Sequence, residues 1–158
     1  MSGKAYILTS RCLYGGEPVR YDGQSKAETD PIYIKWKEEG RLVPVCPEVF
    51  GGLPVPRPDA QIRDGRVINR EGADVTAEYL KGAREAVRLA KQYDVAFAIM
   101  KEKSPSCGVN IIYDGSFQGT KKAGQGLAVE LLREAGIQVF SEEELEQAQA
   151  YLDEMRGE

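Results

Sequence analysis

VAFAIMKEKSPSCG, residues 95–108, is the stretch on which the fold turns. Every position from Val95 to Met100 is apolar, the pattern of a central strand buried on both faces of a parallel sheet. The Lys, Ser, Pro and Gly residues after Met100 end that strand and lead to Cys107. The same order of parts occurs twice more. AYILTS, residues 5–10, reads as a buried first strand followed by Arg11 and Cys12, and RLVPV, residues 41–45, holds a short strand that leads straight into Cys46. In an open α/β sheet the loops at the carboxyl ends of parallel strands converge on one crevice. Cys12, Cys46 and Cys107 are therefore expected to meet there.

Helical signals alternate with these strands. Asp30 before Pro31 is an N-cap with proline at the first helical position, opening PIYIKWKEEG, which stops near Gly40. Residues 75–93 form the clearest helix, with Val75, Tyr79, Ala83, Ala86, Val87 and Ala90 near one face. A further helix is expected from about Ala123 to Ala135, ended by Gly136, followed by a last strand from Ile137 to Phe140. Ser141 with Glu144 makes a capping box for the final helix. Pro47 to Gly72 reads as loop, apart from a small hairpin in QIRDGRVIN that turns at Asp64-Gly65. IIYDG, from Ile111, reads as one more short extended piece. The alternation predicts an α/β fold, a Rossmann-like and mostly parallel sheet with helices on both faces, built as a single domain over residues 1–158.

Composition bounds the function. The 158 residues contain three cysteines and no histidine, with a net charge of −4. That balance gives no basic footprint for a long nucleic acid. No apolar run approaches the about 20 residues that cross a bilayer, and MSGKAYILTSRC lacks the apolar core and cleavage site of a signal peptide. A cytoplasmic protein is expected, and there an odd set of cysteines argues against a disulfide framework. SRCLYGG, VCPEVFGG and SPSCG are loop sequences, which argues against plain buried cysteines. Thiolates select zinc, copper(I) or iron–sulfur clusters. Zinc usually takes closely spaced pairs such as Cys-x-x-Cys, and none occurs here. Isolated cysteines from separate loops suit a larger object, and a 4Fe–4S cluster on three cysteines keeps one iron open.

The flanking residues add candidate chemistry. Glu48 follows Cys46 by two positions and is placed to act as general acid or base, or as a turn residue. Ser104 and Ser106 bracket Pro105 and can bond a substrate, a sulfide or the loop backbone, the last being the expected role of Ser106. Asp22 and Asp114 offer substrate contacts, although an Asp-Gly pair is more often a turn. Gly51 and Gly52 let backbone approach a ligand closely. Arg57, between Pro56 and Pro58, can pair with a carboxylate or phosphate, and Lys101 and Lys103 can face an anion. GQGLAVELL resembles a glycine-opened helix but is a weak phosphate signal.

SRCLYGGEPVRYDG, VPVCPEVFGGLPVPRP, the DVT start of the long helix, KEKSPSCG, IYDGSF and GIQVFSEEE occur in this order along nearly the whole chain. Together they resemble the family catalogued as domain of unknown function 523, whose characterised members are thiouracil desulfidases. The resemblance implies a 4Fe–4S cluster on Cys12, Cys46 and Cys107, a catalytic carboxylate at Glu48 and a catalytic hydroxyl at Ser104, and removal of sulfur from thiolated uracil derivatives. Some members carry an extra C-terminal domain and act on thiouridine in transfer RNA. With no counterpart to that domain and an acidic balance, this sequence is expected to act on a free base or mononucleotide. Two other classes compete: a non-catalytic metal or iron–sulfur sensor, which has no need of Glu48, and a nucleotide-binding module with incidental cysteines.

Overall fold

A computed structural model of the chain describes residues 5–15 and 27–155; Asp22 lies outside them. Along the chain the elements are β1 (Ile7–Ser10), α1 (Arg11–Tyr14), α2 (Pro31–Glu38), β2 (Leu42–Val45), α3 (Pro47–Phe50), β3 (Ala60–Arg63) and β4 (Arg66–Asn69). After them come α4 (Thr76–Gln92), β5 (Phe97–Met100), β6 (Ile111–Tyr113), β7 (Lys121–Ala123), α5 (Leu127–Glu134), β8 (Val139–Ser141) and α6 (Leu145–Met155). Four strands form the central sheet in the order β2-β1-β5-β8, every pair parallel. The chain leaves β1 toward β2 on one side and returns past it to β5 on the other. The switch point therefore falls between β1 and β5, where such sheets open a crevice at their carboxyl ends.

Two apolar layers hold the sheet, and strand alternation sorts the residues between them. On one face Leu8, Ala98, Met100 and Val139 pack against Ala83, Ala86 and Ala90 of α4 and Ala128, Val129 and Leu132 of α5. On the other, Ile7, Phe97, Ile99 and Phe140 pack against Tyr33 and Trp36 of α2 and Leu145, Ala148 and Leu152 of α6. Phe97 is the hinge of that second layer: its ring meets Trp36 edge-on at 5.7 Å and Phe140 at 5.6 Å. Asp30 caps α2 by accepting from the Ile32 N–H at 2.8 Å. The expected Ser141–Glu144 pair forms in the turn ahead of α6 and not on the helix itself: Ser141 Oγ accepts from the Glu143 N–H, and Glu144 Oε1 accepts from the Ser141 N–H. Gly136 ends α5 at φ +84°, a conformation that costs glycine little.

The structure corrects the expected boundaries in three places. Pro47 to Phe50 is a helical turn instead of loop, because Pro47 sits at its first position and the Phe50 N–H closes on the Cys46 carbonyl at 2.9 Å. The helix expected from Ala123 starts at Leu127, because Lys121–Ala123 pairs antiparallel with Ile111–Tyr113. The last strand lies at Val139–Ser141, since Ile137 is used in closing α5 through its bond to the Leu132 carbonyl. The hairpin at Asp64-Gly65 forms as β3–β4, with Gln61 opposite Ile68.

Candidate active site

Each cysteine reaches the crevice at the end of a parallel strand. Cys12 lies in α1, directly after β1; Cys46 stands between β2 and α3; Cys107 follows β5 through the loop Lys101–Ser106. All of them line one cavity of about 430 Å³. Among the described residues no disulfide joins them, and no His, Cys, Asp or Glu groups close on a single-ion site. This donor set, sulfur only and shared by separate loops, fits a soft multi-atom centre. Burial pushes the Cys107 thiol far above its ordinary range, with Cys12 and Cys46 adding to the shift and hydrogen bonds from Ser10 and Ser106 opposing it. Burial also raises Cys46, against the Val49 N–H.

Beside the sulfurs, Glu48 is the centre of a hydrogen-bond network. Its position in the first turn of α3 aims it back toward the cavity. Glu48 Oε1 accepts from Arg57 Nη2 at 2.8 Å and Nε at 3.1 Å, in an ion pair whose side chains are 13% and 5% exposed. Oε2 accepts from Ser104 Oγ at 3.1 Å and lies 3.0 Å from Ser106 Oγ. Ser104 Oγ also accepts from the N–H groups of Ser106 and Cys107, both at 3.1 Å, and lies 2.9 Å from Ser106 Oγ. The backbone role expected of Ser106 thus falls to Ser104. Ser106 Oγ stands between Glu48 and Cys107, 3.5 Å from the sulfur. The carboxylate is surrounded by donors, which hold both of its oxygens in fixed positions at the cavity wall.

The remaining expected residues divide. Lys101 and Lys103 line the cavity, but Lys101 Nζ is bonded to Glu142 Oε2 at 2.8 Å. Arg57 lines the cavity and is paired with Glu48. Asp114 forms a turn, its carboxyl held below the ordinary range by the Ser116 hydroxyl and N–H. Gly51 meets backbone, not a ligand: a Cβ there would lie 1.9 Å from the Glu78 carbonyl oxygen. At the α5 N-terminus the first two amides are already engaged, Leu127 and Ala128 donating to the Pro105 and Ser106 carbonyls at 2.9 Å.

Sequence reasoning missed three contributors. Tyr79, read as an apolar-face residue, is buried but lines the cavity and is hydrogen-bonded to Glu48; burial and that carboxylate together push its hydroxyl far up. Helical spacing found the residue and could not show which atom reaches the site. Ser10 accepts from the Lys101 N–H at 2.8 Å, tying β1 to the cysteine loop. Glu102, inside KEKSPSCG, is buried, and its Oε1 accepts from the N–H groups of Val109, Asn110 and Ile111 at 2.7, 2.8 and 3.0 Å. A lone acid among lysines gives no sequence signal for that task.

Known proteins resemble this chain over most of its length. The 2-thiouracil desulfurase family model matches residues 7–144. Protein YbbK of Bacillus subtilis (strain 168), itself uncharacterised, is 40% identical over 149 residues, covering 88% of this chain and 97% of that protein. The solved structure of the 4Fe–4S-dependent thiouracil desulfidase TudS superposes with a TM-score of 0.91 at 47% identity, covering 95% of this chain and 99% of that one.

Proposed function

The chain belongs to the 2-thiouracil desulfurase family, and from that premise we propose that it is a 4Fe–4S-dependent desulfidase. Its reaction exchanges the sulfur of a thiolated uracil base or nucleotide for oxygen. The observation that carries this reading is the meeting of Cys12, Cys46 and Cys107 in one cavity with the Glu48–Ser104–Ser106 network. We take the whole chain as one functional unit, working in the cytoplasm on a small molecule and not on long nucleic acid. Its acidic balance supports the last point.

Cys12, Cys46 and Cys107 would hold the cluster. When bound, it supplies an iron with an open position, a Lewis acid that accepts soft sulfur and polarises a C=S bond. Glu48 Oε2 takes a proton from the water that attacks the ring carbon, with Ser104 and Ser106 holding that oxygen in place. Arg57 holds the other oxygen, and Tyr79 adds a further bond to the carboxylate. The carbon–sulfur bond breaks, the proton held by Glu48 and the remaining hydroxyl proton of the adduct leave with the sulfur, and thiocarbonyl plus water become carbonyl plus hydrogen sulfide. No electron is gained or lost overall. Lys101, Lys103 and Ser106 remain the candidates on the cavity wall for contacts to the rest of the substrate.

The test is anaerobic reconstitution followed by iron and sulfide analysis and a 2-thiouracil assay. Glu48→Gln should keep its iron and lose about 10²- to 10⁴-fold in kcat, the usual worth of a general base. Cys46→Ser should lose iron and activity together. Full activity in either variant would overturn the reading.

A further inference from the structure

Gln61 is a polar side chain of the cavity that the mechanism above does not use. It sits on β3, where alternation turns Ala60 and Ile62 toward the apolar cluster of Val67, Val75 and Tyr79 and leaves Gln61 on the opposite face. It is 5% exposed and lines the cavity. Its Oε1 accepts from the N–H groups of Gly115 at 2.9 Å and Phe117 at 3.2 Å. Two backbone donors on one atom settle which end of the amide is oxygen. Arg63 closes the same clasp, donating from Nη2 and Nε to the Gly115 carbonyl at 2.6 and 3.0 Å. The clasped loop adopts backbone that side chains rarely accept, with Gly115 at φ +94° and Phe117 at φ +60°. Such geometry persists where surrounding contacts over-determine it, and Gln61 supplies two of them.

With its oxygen held, the amide has one orientation, and Nε2 forms no hydrogen bond among the described residues although it is not sealed off from open space. We propose that Gln61 reads the substrate, donating from Nε2 to the carbonyl oxygen of the pyrimidine ring that the reaction leaves intact. The proposal rests on the desulfidase reading above. A donor-only group favours a ring that presents an acceptor there, as thiouracil does. It opposes thiocytosine, whose amino group would meet it donor to donor.

The experiment compares wild type with Gln61→Glu, which keeps an oxygen for the Gly115 and Phe117 amides and replaces the donor by an acceptor. Uracil and cytosine are titrated calorimetrically onto the reconstituted protein, and kcat/KM is measured for 2-thiouracil and 2-thiocytosine. Wild type should favour the uracil member of each pair by about tenfold or more, the worth of a single hydrogen bond. Gln61→Glu should erase or invert that preference with its melting temperature kept. Should that variant not fold, Gln61→Met and the wild-type ratios decide, with loss of preference expected. Equal handling of both rings by wild type, or an unchanged ratio in the variants, would overturn the proposal. Discrimination in binding without turnover tells against desulfidation and supports the amide reading; turnover without discrimination tells against Gln61 alone.

Discussion

The arms that carry Cys46 and Cys107 are held by different physics. The Cys46 arm is a helical turn, and α3 satisfies much of its own backbone: Phe50, Gly51 and Leu53 donate to the carbonyls of Cys46, Pro47 and Glu48. What positions it is packing. Gly82 of α4 leaves so little room that a Cβ there would lie 1.7 Å from the Pro47 carbonyl oxygen. The Cys107 arm has no regular structure and relies on side chains, with Ser104 Oγ accepting from Ser106 and Cys107, Glu102 accepting from Val109, Asn110 and Ile111, and the α5 amides capping its carbonyls. A turn that closes its own hydrogen bonds needs only a surface to lean on. A loop without a repeating ladder must satisfy its amides with side chains, and a buried carboxylate is an efficient way to gather three of them.

The largest expected break is Gly82→Ala. The added methyl must push α3 off α4, at a cost of about 3 kcal/mol in chemical denaturation. Exchange at Phe50 and Gly51 should rise more than at Val109–Ile111. Unchanged stability would mean that α3 can step back without loss. Next is Glu102→Gln, which replaces a charged acceptor by a neutral amide. About 2 kcal/mol should be lost, with faster exchange at Val109, Asn110 and Ile111 and little at Phe50.

Acid sharpens the contrast. Burial works to raise the Glu102 pKa, but the amides of Ile111, Asn110 and Val109 outweigh it and the net shift is downward. A carboxyl lowered in the folded state lends stability above its unfolded value, about 4.3, and loses it as pH falls through the folded value. Wild type should therefore lose its stability margin over Glu102→Gln as pH drops below about 4, and a margin independent of pH would refute this account. The smallest effect is a control. Ser141→Ala removes a hydroxyl acceptor from the turn between β8 and α6 and should cost about 1 kcal/mol with exchange at Phe50 unchanged.

Much of this was legible in advance. Apolar runs before Cys12, Cys46 and Cys107 placed the strands, the crevice and the convergence of the cysteines, because burial on both faces leaves a plain signal. Pro31 and Gly136 marked helix ends for local steric reasons. The α3 turn escaped notice because Pro and Gly around it mimic loop, and β7 escaped because Lys121–Ala123 is exposed and carries no alternation. Around the cavity, residue types were readable and partners were not. Arg57 could be seen as an anion binder, but its partner Glu48 is fixed by folding. Tyr79 and Gln61 act through atoms whose direction depends on strands and helices far away in sequence.

The long separation of the cysteines has a consequence for assembly. A Cys-x-x-Cys site can seize metal while the chain is still unfolded, because its thiols are neighbours at all times. Here Cys12, Cys46 and Cys107 come together only after β1, β2 and β5 lie side by side. Any group bound by these sulfurs must arrive after the sheet has formed, and its binding free energy then adds to the stability of that whole sheet. Maturation is thereby ordered by topology, with the polypeptide completed first and loading second.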